Sequence, residues 1–150
     1  VLAAGGFTMT NAVDTSDPDT WAHMFRINVD TAYASTRALL PALRAARGSL
    51  VYVGSVSALP QAKPRGIAAY AAAKSAVLTL MRTVSADELP NGVRANAVAP
   101  GTIRTSDNIA AMGDSNSYVS RESIASVVQF LVSDAARDVT GQTIPLTPSA

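Results

Sequence analysis

Tyr70-Ala71-Ala72-Ala73-Lys74 sets a phenol and an ammonium four residues apart. On an α-helix that spacing puts both side chains on one face, one turn apart, where they can act on one ligand. The chemistry this suits is proton transfer. A phenol with its ordinary pKa of about 10 is a poor acid or base at neutral pH, and a neighbouring cation favours the phenolate and draws the pKa toward the working range. Any helix can carry such a pair as solvated surface neighbours, so its meaning depends on what surrounds it. Alanines at Ala71, Ala72, Ala73 and Ala76 let a cofactor or another helix come close, and Ser49-Leu50-Val51-Tyr52-Val53-Gly54-Ser55 upstream reads as a short buried strand ending in a hydroxyl.

The elements that must position these groups are legible in outline. Val1-Leu2-Ala3-Ala4 reads as the end of a buried strand, turned by Gly5-Gly6. A chain that opens inside a strand suggests a fragment, a processed product or an incomplete reading frame. Ser16-Asp17-Pro18-Asp19 announces a helix, with a capping residue ahead of a first-turn proline. A helical pattern follows over about 20–46, with Phe25, Val29, Ala32, Ala38 and Leu39 as its inward stripe, Pro41 late in it and Gly48 as its stop. Strand 50–53, helix 68–88, strand 93–98, helix 121–133 and strand 142–146 then alternate. Strands apolar along their whole length, alternating with helices, predict an α/β fold with a parallel sheet covered on both faces. Ligands of such sheets bind beyond the carboxyl ends of the strands, and here those ends carry Gly5, Ser55 and Pro100-Gly101.

Composition narrows the alternatives. With 48% apolar and 15% charged residues over 150, the chain suits one globular domain. Its formal charge of +1 is spread without a basic run, which gives no footprint for nucleic acid or a membrane surface. No apolar stretch approaches a bilayer's thickness and no signal-peptide pattern is present. The absence of cysteine removes thiolate and disulfide chemistry and fits a reducing compartment, so a cytoplasmic location is expected. One histidine, His23, lies in a helix-like stretch between Trp21 and Phe25 and reads as structural or surface, so no metal site is expected. A serine hydrolase using Ser55 and His23 is a poor reading, because no nucleophile-elbow motif surrounds the serine.

Five pieces in order, Asn28, Gly54-Ser55, Tyr70-x-x-x-Lys74, Asn96-Ala97-Val98-Ala99-Pro100-Gly101 and Val139-Thr140-Gly141-Gln142, together resemble the short-chain dehydrogenase/reductase superfamily over its C-terminal portion. The resemblance implies a Rossmann-like parallel sheet with helices on both faces, lacking the first three strands of the usual doubly wound fold. It implies an NAD(P)-dependent oxidoreductase that interconverts a small-molecule carbonyl and an alcohol, with NAD or NADP as cofactor. Tyr70 would exchange a proton with the substrate oxygen. Lys74 would lower the phenol pKa and bond the nicotinamide ribose. Ser55 would hold the substrate oxygen, with Ser57 as a rival because the interval from Ser55 to Tyr70 is slightly long. Asn28 would position a water linking Lys74 to solvent. Pro100, Gly101, Ile103 and Thr105 resemble the segment that holds the nicotinamide carboxamide. Ala4 and Gly5 would pass close to the adenosine ribose, although the family's Asn-Asn-Ala-Gly reads Leu2-Ala3-Ala4-Gly5 here. The glycine-rich pyrophosphate loop and the residues that distinguish NAD from NADP do not occur in this sequence.

Further implications are coarser. Asn96 is expected to tie loops together, and Arg104 and Asn108 to face either substrate or solvent. The short segment after Thr105, together with Ala4-Gly5-Gly6-Phe7, resembles a bacterial subgroup similar to dihydropteridine reductases, although those lack a serine at the position of Ser55. Relatives pack their equivalent long helices across a two-fold axis, which implies a homo-dimer or homo-tetramer. A catalytically silent remnant serving as an interaction or oligomerisation module is the alternative from another class.

Overall fold

The computed structural model describes residues 1–148. Three parallel strands, β1 (Ser49–Val53), β2 (Arg94–Pro100) and β3 (Thr143–Leu146), form an open sheet in the order β1-β2-β3. Leu50 faces Ala95, Tyr52 faces Ala97, and Ala97 in turn faces Thr143 across the ladders. Side chains alternate between the two faces of a strand. Accordingly Leu50, Tyr52, Ala95 and Ala97 pack against α3 (Ala68–Asp87) and α2 (Thr31–Ala46), whereas Val51 and Val98 pack against Leu131 of α5 (Arg121–Val132). The α/β expectation with helices on both faces holds. The strands step in one direction while their crossovers run over opposite faces, so the two connections have opposite hands and one departs from the usual right-handed rule.

The first apolar run behaves differently from the expected strand. Only Leu2 pairs, through one parallel bridge to Tyr52, its N–H donating to Val51 O at 2.8 Å and its carbonyl accepting from Val53 N at 3.3 Å. Val1, Ala3 and Ala4 are exposed, because this edge has a neighbour on one side alone.

The long helix begins at Pro18 under an Asp17 cap, whose carboxylate accepts from Asp19 N and Thr20 N. It is broken by a π-helical turn, Arg26–Asp30, that joins α1 (Pro18–Phe25) to α2. Ala38 and Leu39, expected inside, are exposed. The inward row instead runs Val29, Ala32, Thr36, Leu40 and Leu43. Counting only apolar residues hides Thr36, whose hydroxyl is satisfied at 2.7 Å from both Ala32 O and the buried Tyr52 hydroxyl. The helix stops at Arg47, which takes the left-handed conformation at φ 49° beside Gly92, where a Cβ would stand 2.7 Å from Arg47 Nε. Arg44 and Asn91 both bond the buried Glu88 carboxylate and so tie the end of α2 to the end of α3.

Residues 106–112, read from sequence as a short connection, form a helix, α4 (Ser106–Met112). Asn96 is fully buried and ties the 139–142 turn to β2, donating to Val139 O and accepting from Gln142 N. Among the described residues no helix is long and apolar enough to cross a membrane, and no group of three or more metal-ligating side chains occurs.

Candidate active site

Five segments meet beyond the carboxyl ends of β1 and β2: the Ala3–Phe7 stretch, the end of β1 with the turn after it, the first turns of α3, the Pro100–Ile103 loop and α4. They enclose a cavity of about 470 Å³. Tyr70 stands in the first turn of α3, with Lys74 one turn below on the same face. Ala69 and Ala73 alternate with them and seat this end of α3 against Met24 in α1, so the small residues set how close the helices come.

Lys74 is 6% exposed. Its ammonium donates to Val53 O at 3.0 Å and lies 5.9 Å from the centre of the Tyr70 ring. One protein acceptor leaves two N–H groups for the cavity. Burial favours the uncharged amine and draws the Lys74 pKa from 10.5 to about 8. The same physics acts on Tyr70 in the opposite sense. Burial raises its pKa above the ordinary phenol value, and the nearby Ser55 hydroxyl only partly offsets this. Desolvation is the larger influence on the Tyr70 phenol, and the Ser55 hydroxyl is the one that opposes it.

Asn28 occupies the π-helical turn and is 1% exposed. Widening of the helix there frees backbone groups, and such turns recur at functional sites. The Asn28 amide donates to Met24 O at 3.0 Å and to Gly6 O at 3.1 Å, and its oxygen accepts from Gly6 N at 3.3 Å. An asparagine, a poor helix former, is thus satisfied where an ordinary helix would gain nothing from it. Gly5, at φ +149°, runs over the pair: a Cβ there would stand 2.4 Å from Asn28 Oδ1 and 3.3 Å from Lys74 Nζ. Asn28 makes no direct bond to Lys74; the two meet beneath the same glycine.

Ser55 follows β1 by two residues, and Gly54 between them lets the chain pass over Leu78, whose Cδ2 a Cβ would approach to 2.7 Å. The Ser55 hydroxyl accepts from Ser57 N at 3.2 Å and lies 2.9 Å from Ser57 Oγ. Ser55 therefore caps its turn and lines the cavity as well, and Ser57 is bonded to it rather than independent.

The remaining sequence candidates divide. Gly5, Pro100, Gly101 and Ile103 line the cavity; Ala4 and Thr105 do not. The Thr105 hydroxyl caps α4 by accepting from Asn108 N at 3.2 Å. Asn108 lines the cavity and donates to Ile103 O at 2.8 Å, whereas Arg104 pairs with Asp114. His23 is exposed beside Arg26, away from Ser55's surroundings. Sequence reasoning missed the cavity's apolar rim, Phe7, Ile67 and Met112. Phe7 stands edge to face with Tyr70, ring centres 5.0 Å apart. Its position after two glycines was the one available signal.

A parallel sheet covered by helices on both faces, with a tyrosine and a buried lysine beyond its carboxyl edge, is a Rossmann-like α/β arrangement. The chain belongs to the short-chain dehydrogenase/reductase superfamily: the model of the Enoyl-(Acyl carrier protein) reductase family matches residues 1–146. Protein FixR of Bradyrhizobium diazoefficiens is 36% identical over 140 residues, covering 88% of this chain and 50% of that protein. The 2-keto-3-deoxy-L-fuconate dehydrogenase of Xanthomonas campestris is 32% identical, covering 92% and 52%. Gluconate 5-dehydrogenase of Burkholderia cenocepacia, solved with NADP and tartrate, superposes with a TM-score of 0.86 at 27% identity over 96% of this chain and 60% of that one. The chain thus spans about half the length of the curated relatives it matches.

Proposed function

We propose that this chain forms the catalytic portion of an NAD(P)-dependent oxidoreductase that interconverts a carbonyl and an alcohol, with Tyr70 as the proton donor and acceptor. The observation that carries this reading is the convergence of Tyr70, Lys74 and Ser55 on one cavity, with Asn28 bonded behind it. A nicotinamide supplies or accepts the hydride when bound. The residues present fit such a group: Lys74 keeps spare donors for ribose hydroxyls, Gly5 brings bare backbone beside it, and the Pro100–Ile103 loop lines the cavity with main chain.

In reduction, the Tyr70 hydroxyl gives its proton to the substrate oxygen while Ser55 holds that oxygen by a hydrogen bond. The phenol is protonated at neutral pH, the form that reduction needs, while burial raises its pKa and makes it a weaker acid until polar groups of a bound ligand offset that desolvation. Lys74, with a pKa of about 8, stands one turn below Tyr70 to return the proton, and Asn28 holds the π-helical turn beside Gly5. Thr105, as the cap of α4, fixes the loop that carries Ile103, and its O–H is left to donate to the carboxamide of a bound nicotinamide.

The test is Tyr70→Phe. Fluorescence titration with NADH and NADPH should show cofactor binding retained, while kcat for carbonyl reduction falls by about 10²–10⁴. Activity that survives the substitution would remove Tyr70 from the mechanism. No response to either cofactor would favour the interaction-module reading instead. The exposed Tyr33 and Leu39 on α2 support a homo-dimer or homo-tetramer through the long helices, and a cytoplasmic location belongs to the same proposal.

A further inference from the structure

Phe7 and Met112 are 58% and 61% exposed, yet both line the cavity, together with Ile67 at the start of α3. They come from three separate segments, and Phe7 stands against the Tyr70 ring. Phe7 is held from both sides. The Gly6 backbone is bonded twice to Asn28, and Thr10 N donates to Gly66 O at 2.6 Å, just ahead of Ile67. An apolar ring fixed in solvent is unfavourable, so a ligand that covers it gains what the free protein forgoes. Charge points the same way. Among the residues lining the cavity, Lys74 is the one cationic side chain and none is acidic. With the two spare Lys74 donors assigned to the cofactor ribose in the proposed function, a substrate carboxylate would find no second cation there.

We propose that Phe7, Ile67 and Met112 form the substrate-selecting wall of this cavity, and that it takes an uncharged carbonyl or alcohol with an apolar, compact body, such as an alicyclic ketone. This deepens the proposed function and rests on it for turnover. The nearest rival is an anionic substrate whose tail reaches the neighbouring hollow of about 390 Å³, which shares Val56 and Ser57 with the cavity and carries Lys63.

The experiment pairs cyclohexanone binding, read by saturation-transfer NMR, with initial rates on cyclohexanol, 2-propanol and gluconate using each nicotinamide. Cyclohexanol is expected to be preferred over gluconate. Phe7→Ser should lower kcat/KM for cyclohexanol about tenfold, mainly through KM, and for 2-propanol by less than about threefold. Met112→Ser, on a different segment, should reproduce the direction and guards against a folding defect in the first variant. Cyclohexanone binding that neither variant weakens overturns the wall. Equal losses on both alcohols also overturn it, since they would mark Phe7 as merely structural. A preference for gluconate that Lys63→Met abolishes would establish the anionic rival in its place. Binding weakened by both variants without turnover of any substrate would keep the wall and sink the oxidoreductase reading alone.

Discussion

Lys74 makes the stability of this protein rise with pH, the reverse of a lysine whose pKa an ion pair has raised. In the unfolded chain its ammonium titrates near 10.5; in the folded protein burial brings that to about 8. Between these values the unfolded chain holds a proton that the folded one has released. Unfolding then takes up protons, and stability rises with pH across the window. The contribution is full above 10.5 and is lost as pH falls through about 8. A displacement of this size corresponds to about 3 kcal/mol, a large part of the roughly 5–15 kcal/mol that holds a domain together. Tyr70 and Tyr52 are both raised by burial and act in the reverse direction once pH passes their ordinary value of 10.0, so the clean interval ends there.

Urea unfolding of the protein and of Lys74→Met, followed from about pH 7 to about pH 10, isolates the effect. Methionine keeps the length of the stem and removes the charge. It also takes away the donor to Val53 O, so the two proteins differ in absolute stability by about 1–3 kcal/mol for reasons unrelated to ionisation. The slope is the diagnostic quantity. The native protein should gain about 2–3 kcal/mol over the interval and the variant almost none. Equal slopes would show that the ammonium stays solvated in the folded state, and the burial argument for both Lys74 and Tyr70 would fail with it.

Gly5→Ala places a Cβ 2.4 Å from Asn28 Oδ1 at a φ of +149°. It should destabilise the protein by about 2 kcal/mol or more, read as a lowered urea midpoint. Glu88 is held at about 2 by hydrogen bonds from Arg44 and then Asn91, so its contribution is present above 4.5 and lost as pH falls through about 2. The urea midpoint of the native protein should therefore fall as pH is lowered from about 5 to about 2, while Glu88→Gln, less stable at neutral pH, should show a smaller fall over the same range.

What the sequence made legible was whatever repeats along one element. The alternation of apolar strands with helices, the shared face of Tyr70 and Lys74, and the turn after β1 that carries Ser55 are local patterns, and each stands where its pattern put it. The misses have a common origin in partners distant along the chain. Ala38 and Leu39 looked apolar enough for the core, but Thr36 took the inward position because Tyr52, on another element, satisfies its hydroxyl. Leu2 alone pairs where a strand was expected, through one bridge to Tyr52 some fifty residues on. Thr105 matches a cofactor-contacting pattern, and its hydroxyl also caps the helix that follows by accepting from Asn108 N, a role the pattern does not announce.

The Tyr70 pKa shows why even a correctly placed pair does not determine its own chemistry. Charge attraction can be read from spacing, but desolvation depends on everything that excludes water from the phenol. Phe7 stands against its ring from a loop more than sixty residues earlier in the chain. Burial penalises the phenolate and the ammonium together, so it removes part of the cation that was expected to help the phenol ionise. A bound ligand changes that balance only by bringing polar groups or charge into the same cavity. The pH dependence of kcat should therefore report an acidic group displaced from that of the free protein, and coincidence of the two would mean that the ligand leaves the solvation of Tyr70 untouched.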